Sequence, residues 1–157
     1  MSRDVRRLAA EMLGSVPFAQ TLGIEFVEVT VDEAGGPRVV VRLPDSAATR
    51  NHVGGPHAGA LFTLGETASG AVVLAAFGQL FARAVPLAVR AEIDYRRLAL
   101  GTVRATARLD RPAESVVAEL DAGTRPEFPV RVEIGTEDGA VTTEMTVLWT
   151  LKPLATA

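Results

Sequence analysis

The sequence predicts an α+β fold in which an antiparallel sheet wraps one long helix. Three observations carry that expectation. Residues 58–77 form an almost wholly apolar stretch of helical length, with apolar residues on every side of the helix. Four later segments alternate apolar and polar residues with period two, the pattern of strands with one wet face. A short amphipathic helix and a hairpin precede the long helix. A helix that needs cover on all sides and a sheet with one apolar face satisfy each other.

The first element is an N-terminal helix within 1–14. Val5, Leu8, Ala9 and Met12 recur at helical spacing, with Arg3, Arg6, Arg7 and Glu11 between them on a solvated face. Gly14 and Pro17 end it. Residues 22–33 are β-rich, with Val27, Val29 and Val31 alternating against Glu28, Thr30 and Asp32. Gly35-Gly36-Pro37 turns the chain into a second strand, 38–43. A polar loop over 45–57 carries His52 and His57, and the long helix follows, with Gly78 as its stop.

Of the later strands, 88–96 places Val89, Ala91, Ile93 and Tyr95 on one face, and 102–109 places Val103, Ala105, Ala107 and Leu109. Residues 129–134 present Val130, Val132 and Ile134, and 141–151 present Val141 to Leu151 at every second position. Glu137-Asp138-Gly139 reads as a hairpin turn. Glu114–Leu120 is compatible with a short helix or an irregular strand. Neither a repeat nor a domain boundary interrupts the chain, so 1–157 reads as one domain.

Composition bounds the function. With 48% hydrophobic and 22% charged residues a sizeable core is expected, and disorder is not. A net charge of −3 disfavours a nucleic-acid partner. The absence of cysteine excludes disulfides, thiolate catalysis and cysteine-based zinc sites. The basic N-terminus has no apolar segment behind it, and the one long apolar run contains Glu66 and many Gly, Ser and Thr residues. The expectation is a soluble cytoplasmic protein without a membrane partner.

Glu66 is the anomaly. Between Arg50 and Arg83 it is the only ionisable residue besides the two histidines. A carboxylate inside an apolar helix is costly unless it is paired, protonated or used. Its structural reading is a carboxylate satisfied by Thr63, Thr67 or Ser69, or by a neighbouring arginine. Its functional reading is a catalytic group. Metal is disfavoured, because His52, His57 and Glu66 lack a recognised ligand spacing.

The order of elements and the segment Asn51–Glu66 resemble the hotdog fold, and specifically the PaaI-like acyl-CoA thioesterases. That family carries a pattern close to N-x-x-G-x-x-H-G-G, an apolar stretch, and an acidic residue nine positions after the histidine. Asn51, Gly54, His57, Gly59 and Glu66 stand at the matching positions, with Ala58 in place of the first glycine after the histidine. Asp94–Gly101 is similar to the family's aromatic-x-Arg-Pro-Ala-x-x-Gly segment, with Leu98 where proline is usual. A serine or threonine that assists in some members has no secure counterpart, since Ala82, Arg83 and Ala84 occupy that vicinity.

The resemblance implies hydrolysis of an acyl-CoA thioester without a cofactor, in a homodimer or a dimer of dimers. It implies Glu66 as general base on water, or as nucleophile, contributed from the facing subunit. It implies backbone N–H groups at the helix start, at Gly59 or Ala58, as the oxyanion donors. Asn51 is the candidate to orient water or the carboxylate, and His57 to hold the loop or the carbonyl region. Arg96 and Arg97, with Arg83 and Arg90, are candidates for the phosphates of coenzyme A. Phe62, Leu61 and Phe81 are read first as core packing and second as lining for the acyl group. The competing readings are a non-catalytic acyl-binding module on the same fold and, more remotely, hydratase or dehydratase chemistry.

Overall fold

The computed structural model describes residues 3–155. Helices α1 (Arg3–Ser15) and α2 (Pro17–Thr21) lead into strands β1 (Glu25–Val31) and β2 (Pro37–Leu43). Helix α3 (Ala58–Phe77) comes next, extended by a 3₁₀ turn over Gly78–Leu80. Then follow β3 (Ala84–Tyr95), β4 (Val103–Leu109), helix α4 (Ala113–Asp121), β5 (Glu127–Thr136) and β6 (Val141–Pro153). The six strands form one antiparallel sheet in the order β1-β2-β4-β5-β6-β3. This is the expected sheet around a long helix. Residues 1 and 2 of the predicted N-terminal helix lie outside the described residues.

The inner face of the sheet is built by the predicted alternation. Val103, Ala105 and Ala107 of β4, Val130, Val132 and Ile134 of β5, and Met145, Val147, Trp149 and Leu151 of β6 are all buried. They pack on Leu64, Ala68, Ala71 and Val72 of α3. Small residues let the layers approach: a Cβ on Gly65 would stand 2.6 Å from the Met145 sulfur. Phe77 meets Phe128 edge-on at a centroid distance of 5.0 Å, which closes the far end of the core.

Several expectations need correction. β1 carries a bulge between Phe26 and Glu28, which takes Val27 out of the alternation and puts Phe26 inside instead. Val31, at the strand end, is 71% exposed. β3 begins earlier than predicted, at Ala84, and its bulge between Ala88 and Arg90 removes Val89 from the inner face. Of the two readings for 114–120, the helix is the one formed, over Ala113–Asp121, with Val116 and Leu120 buried on one side. Gly78 does cap α3, but in a right-handed conformation that runs on into the 3₁₀ turn.

Nor is α3 buried on every face. It is long and apolar enough to cross a membrane, and 61% of that apolar window is buried within the protein itself. The stripe Phe62, Glu66, Gly70 and Leu74 is only partly covered. Met12 of α1 shelters part of it: a Cβ on Gly70 would lie 3.5 Å from the Met12 methyl. That stripe and the loop before α3 position the candidate site.

Candidate functional site

The loop over 50–57 is a closed unit. Arg50 and Pro56 bridge its ends, and the Asn51 N–H donates to the Gly55 carbonyl at 2.7 Å. The Asn51 amide works entirely inside the loop. Its oxygen accepts from the N–H groups of Val53 (3.0 Å) and Gly55 (3.2 Å), and its nitrogen donates to the Pro56 carbonyl (3.3 Å). Gly54 takes φ +84°, a left-handed conformation that suits glycine. Gly55 lies directly under the Ala99 carbonyl: a Cβ there would stand 2.2 Å from that oxygen. The 96–101 turn is thus seated on the 50–57 loop. It closes with Leu98 exposed and with Gly101 at φ +75°.

The loop delivers His57 to the N-cap of α3. Its backbone N–H donates to the Thr49 carbonyl at 2.7 Å, and its Nδ1 accepts from the Gly59 N–H at 2.9 Å. A neutral His57 therefore carries its proton on Nε2. Gly59, the expected oxyanion donor, has its N–H committed to this cap. Among the described residues the N–H groups of Ala58 and Ala60 have no acceptor. The Ala58 carbonyl accepts from the Tyr95 hydroxyl at 3.0 Å, which ties the helix start to the end of β3. Burial raises the Tyr95 pKa above its ordinary value.

Three cavities divide the predicted site residues among them. Asn51, Ala58, Arg96 and Arg97 line one of about 340 Å³, walled by Tyr95 and Leu98. His57, Gly59 and Phe62 line a second of about 500 Å³, with Phe18 and Leu22 opposite. Glu66 lines a third of about 490 Å³, together with Met12, Phe81, Pro86 and Trp149. Within one chain Glu66 and the helix start are not brought together: seven residues at the helical rise separate them by about 10 Å. His52 is exposed.

The Glu66 carboxylate has no hydrogen bond or ion pair among the described residues. The hydroxyls that would satisfy it are engaged elsewhere or make no hydrogen bond. Thr63 donates to the Gly59 carbonyl (2.9 Å), and Ser69 donates to the Glu66 backbone carbonyl (2.7 Å). The Thr67 hydroxyl is buried without a partner. Desolvation therefore acts unopposed and raises the Glu66 pKa above 4.5. The two arginines differ as well. Arg96 pairs with Glu144 at 2.6 Å and approaches Asp94 at 3.6 Å, whereas Arg97 has no carboxylate partner among the described residues.

Sequence reasoning missed Tyr95 and, apart from Phe81, the walls of the Glu66 cavity. Tyr95 is the only tyrosine and stands at the aromatic position of its segment, a signal that was present. The cavity walls come from α1, β3, β6 and the turn after α3, and no local pattern joins them. The Pro17–Thr21 helix, which brings Phe18 beside His57, was also missed, although Pro17 is a good first helical residue.

Comparison with known proteins places this architecture. A family model described as a domain of unknown function, DUF4442, matches residues 5–151. No curated protein matches the chain in sequence. Among solved structures, a Pseudomonas aeruginosa protein of unknown function, described as a probable thioesterase, is 29% identical with a TM-score of 0.79 and 95% of each chain covered. A thioesterase family protein from Silicibacter pomeroyi superposes with a TM-score of 0.71 at 18% identity, covering 96% of this chain and 99% of that one. The Escherichia coli PaaI protein from the phenylacetic acid degradation operon does so at 0.66 and 21%, covering 96% and 94%. The six-stranded sheet, its central helix and these matches lead to one conclusion: the chain belongs to the DUF4442 family and has the hotdog fold of these thioesterase-family proteins.

Proposed function

We propose that this protein hydrolyses an acyl-CoA thioester to the free acid and CoA. The observation that carries this reading is Glu66, a carboxylate with no partner among the described residues, held at the edge of an apolar cavity with its pKa raised by burial. A carboxylate so placed is a stronger base than one in water, and water at the cavity is its natural target. Attack through the carboxylate itself, by way of an anhydride, uses the same geometry. The 29%-identical relative described as a probable thioesterase supports the same reaction class.

The thioester oxygen is held at the start of α3. The positive end of the helix dipole and the unpartnered Ala58 N–H stabilise the developing oxyanion there. Gly59 then serves by lacking a side chain and by keeping His57 in place. Asn51 shapes the loop that presents these groups. Arg97 meets a phosphate of coenzyme A, with Arg96 contributing once its carboxylate partners yield.

Because Glu66 lies about 10 Å along the helix from these donors, a second copy supplies it. Strand β3 is an open sheet edge with Val85, Leu87 and Val89 at 37%, 42% and 46% exposure, a surface suited to a homodimer or a dimer of dimers. The protein works as a soluble cytoplasmic enzyme. A non-catalytic acyl-binding role has one observation in its favour, the Gly59 N–H already held by His57.

Thiol release from a broad acyl-CoA panel tests the proposal. At least one substrate is hydrolysed, and Glu66→Ala loses about two orders of magnitude or more while its circular dichroism is unchanged. Equal rates for the two proteins would remove Glu66 from the mechanism.

A further inference from the structure

We propose that the cavity beside Glu66 receives the acyl chain and selects neutral, apolar acyl groups over those that end in a carboxylate. This rests on the reading of Glu66 as acting on an acyl-CoA. At about 490 Å³ the cavity is of a size that holds small organic groups. Its walls are Met12, Val16, Phe81, Pro86 and Trp149, drawn from both ends of the chain. The only charged residues lining it are Glu66 and, at its exposed rim, Glu11; no cation lines it among the described residues. A second carboxylate at the end of an acyl chain would be desolvated there beside like charge and without a partner. An alkyl or aryl chain carries no charge to desolvate and packs on the apolar walls.

Two further features show the space to be shaped. Gly70 stands one helical turn after Glu66, and its missing side chain leaves the cavity open between Met12 and Trp149. A Cβ there meets the Met12 methyl at 3.5 Å and the indole ring at 3.6 Å, in ordinary contact, so alanine fits and any longer side chain enters the cavity. The indole is also fixed. Trp149 Nε1–H donates to the Ser69 hydroxyl at 3.1 Å, and Ser69 donates to the Glu66 carbonyl. One wall is thereby fastened to the turn of α3 that carries Glu66, while Met12 supplies an adaptable wall on the opposite side.

Trp149 is the only tryptophan, so its emission reports on this cavity directly. The probes are S-decyl-CoA, a thioether that cannot be hydrolysed, the thioether of equal length ending in a carboxylate, and free CoA. S-decyl-CoA is expected to shift the emission saturably, with a Kd at least about tenfold below that of the carboxylated probe. Free CoA leaves the emission unchanged. Gly70→Leu abolishes the shift, and Gly70→Ala, which favours the helix, keeps the fold and weakens binding. No emission change with S-decyl-CoA in a protein that hydrolyses acyl-CoA overturns the cavity assignment and leaves the thioesterase reading standing. Equal Kd values for the two thioethers overturn the charge selection. A shift without hydrolysis of any acyl-CoA supports the cavity and contradicts the thioesterase.

Discussion

Glu66 combines a carboxylate, an apolar cavity and, among the described residues, the lack of any bonded cation or hydroxyl. A structural carboxylate is normally paid for by a partner, and here Thr63 and Ser69 bond to backbone instead. The direction of its pKa has a kinetic consequence. A general base acts in its ionised form, and burial moves the pKa above the ordinary carboxylate range. As pH falls through that raised value the base is protonated and kcat/KM falls with it. A pH–rate profile of wild type is therefore expected to break above the ordinary carboxylate range, and Glu66→Gln to leave a residual rate without that break. A break within the ordinary carboxylate range would contradict the assignment. The oxyanion donor is open to an equally sharp test. Ala58 is the first helical residue, where proline is tolerated, and His57 before it is already extended at φ −60° and ψ 143°. Ala58→Pro removes one N–H and little else. Its kcat is expected to fall about 10²–10³-fold with the melting temperature unchanged. An unchanged kcat would return the role to Gly59.

At the scale of elements, the loop and the turn above it act as one rigid mount for the helix start. Gly55 is the point of contact, and its Cα has no room for a methyl group under the Ala99 carbonyl. Gly55→Ala must push the turn and the loop apart. Urea unfolding is expected to show a loss of about 1–3 kcal/mol, and activity to fall about 10²-fold through misplacement of Ala58 and Arg97. Stability and rate equal to wild type would show that the mount is not needed. The elements also show what a linear reading can reach. Helix α3 was legible as an apolar run too long for a strand, and the faces of β4, β5 and β6 through the strict period of two that one core imposes. The bulges in β1 and β3 were not, because one inserted residue reverses the phase without any change in composition. The spacing from Asn51 to Glu66 was legible as a motif. That His57 would occupy the Gly59 N–H was not, since a cap depends on the dihedral angles of the residue before the helix. The cavity of Glu66 was hidden for another reason: Met12 and Trp149 meet only through the register of the whole sheet.

For the whole molecule, the two halves of the proposed site lie about 10 Å apart along one helix, and the open edge of β3 offers the means to unite them across two copies. In a two-fold dimer each site then takes its loop and helix start from one chain and Glu66 from the other. Ala58→Pro and Glu66→Ala damage different halves. A mixed dimer holds one site with both lesions and one with neither. The most direct measurement is therefore thiol release from an acyl-CoA by the two variants, assayed alone and after subunit exchange in equal amounts. Each alone is expected to be nearly silent, and the mixture to recover about a quarter of the wild-type rate, as random pairing of a two-fold dimer requires. A mixture as silent as its components, with mixed dimers present, would contradict a site shared between two copies of α3.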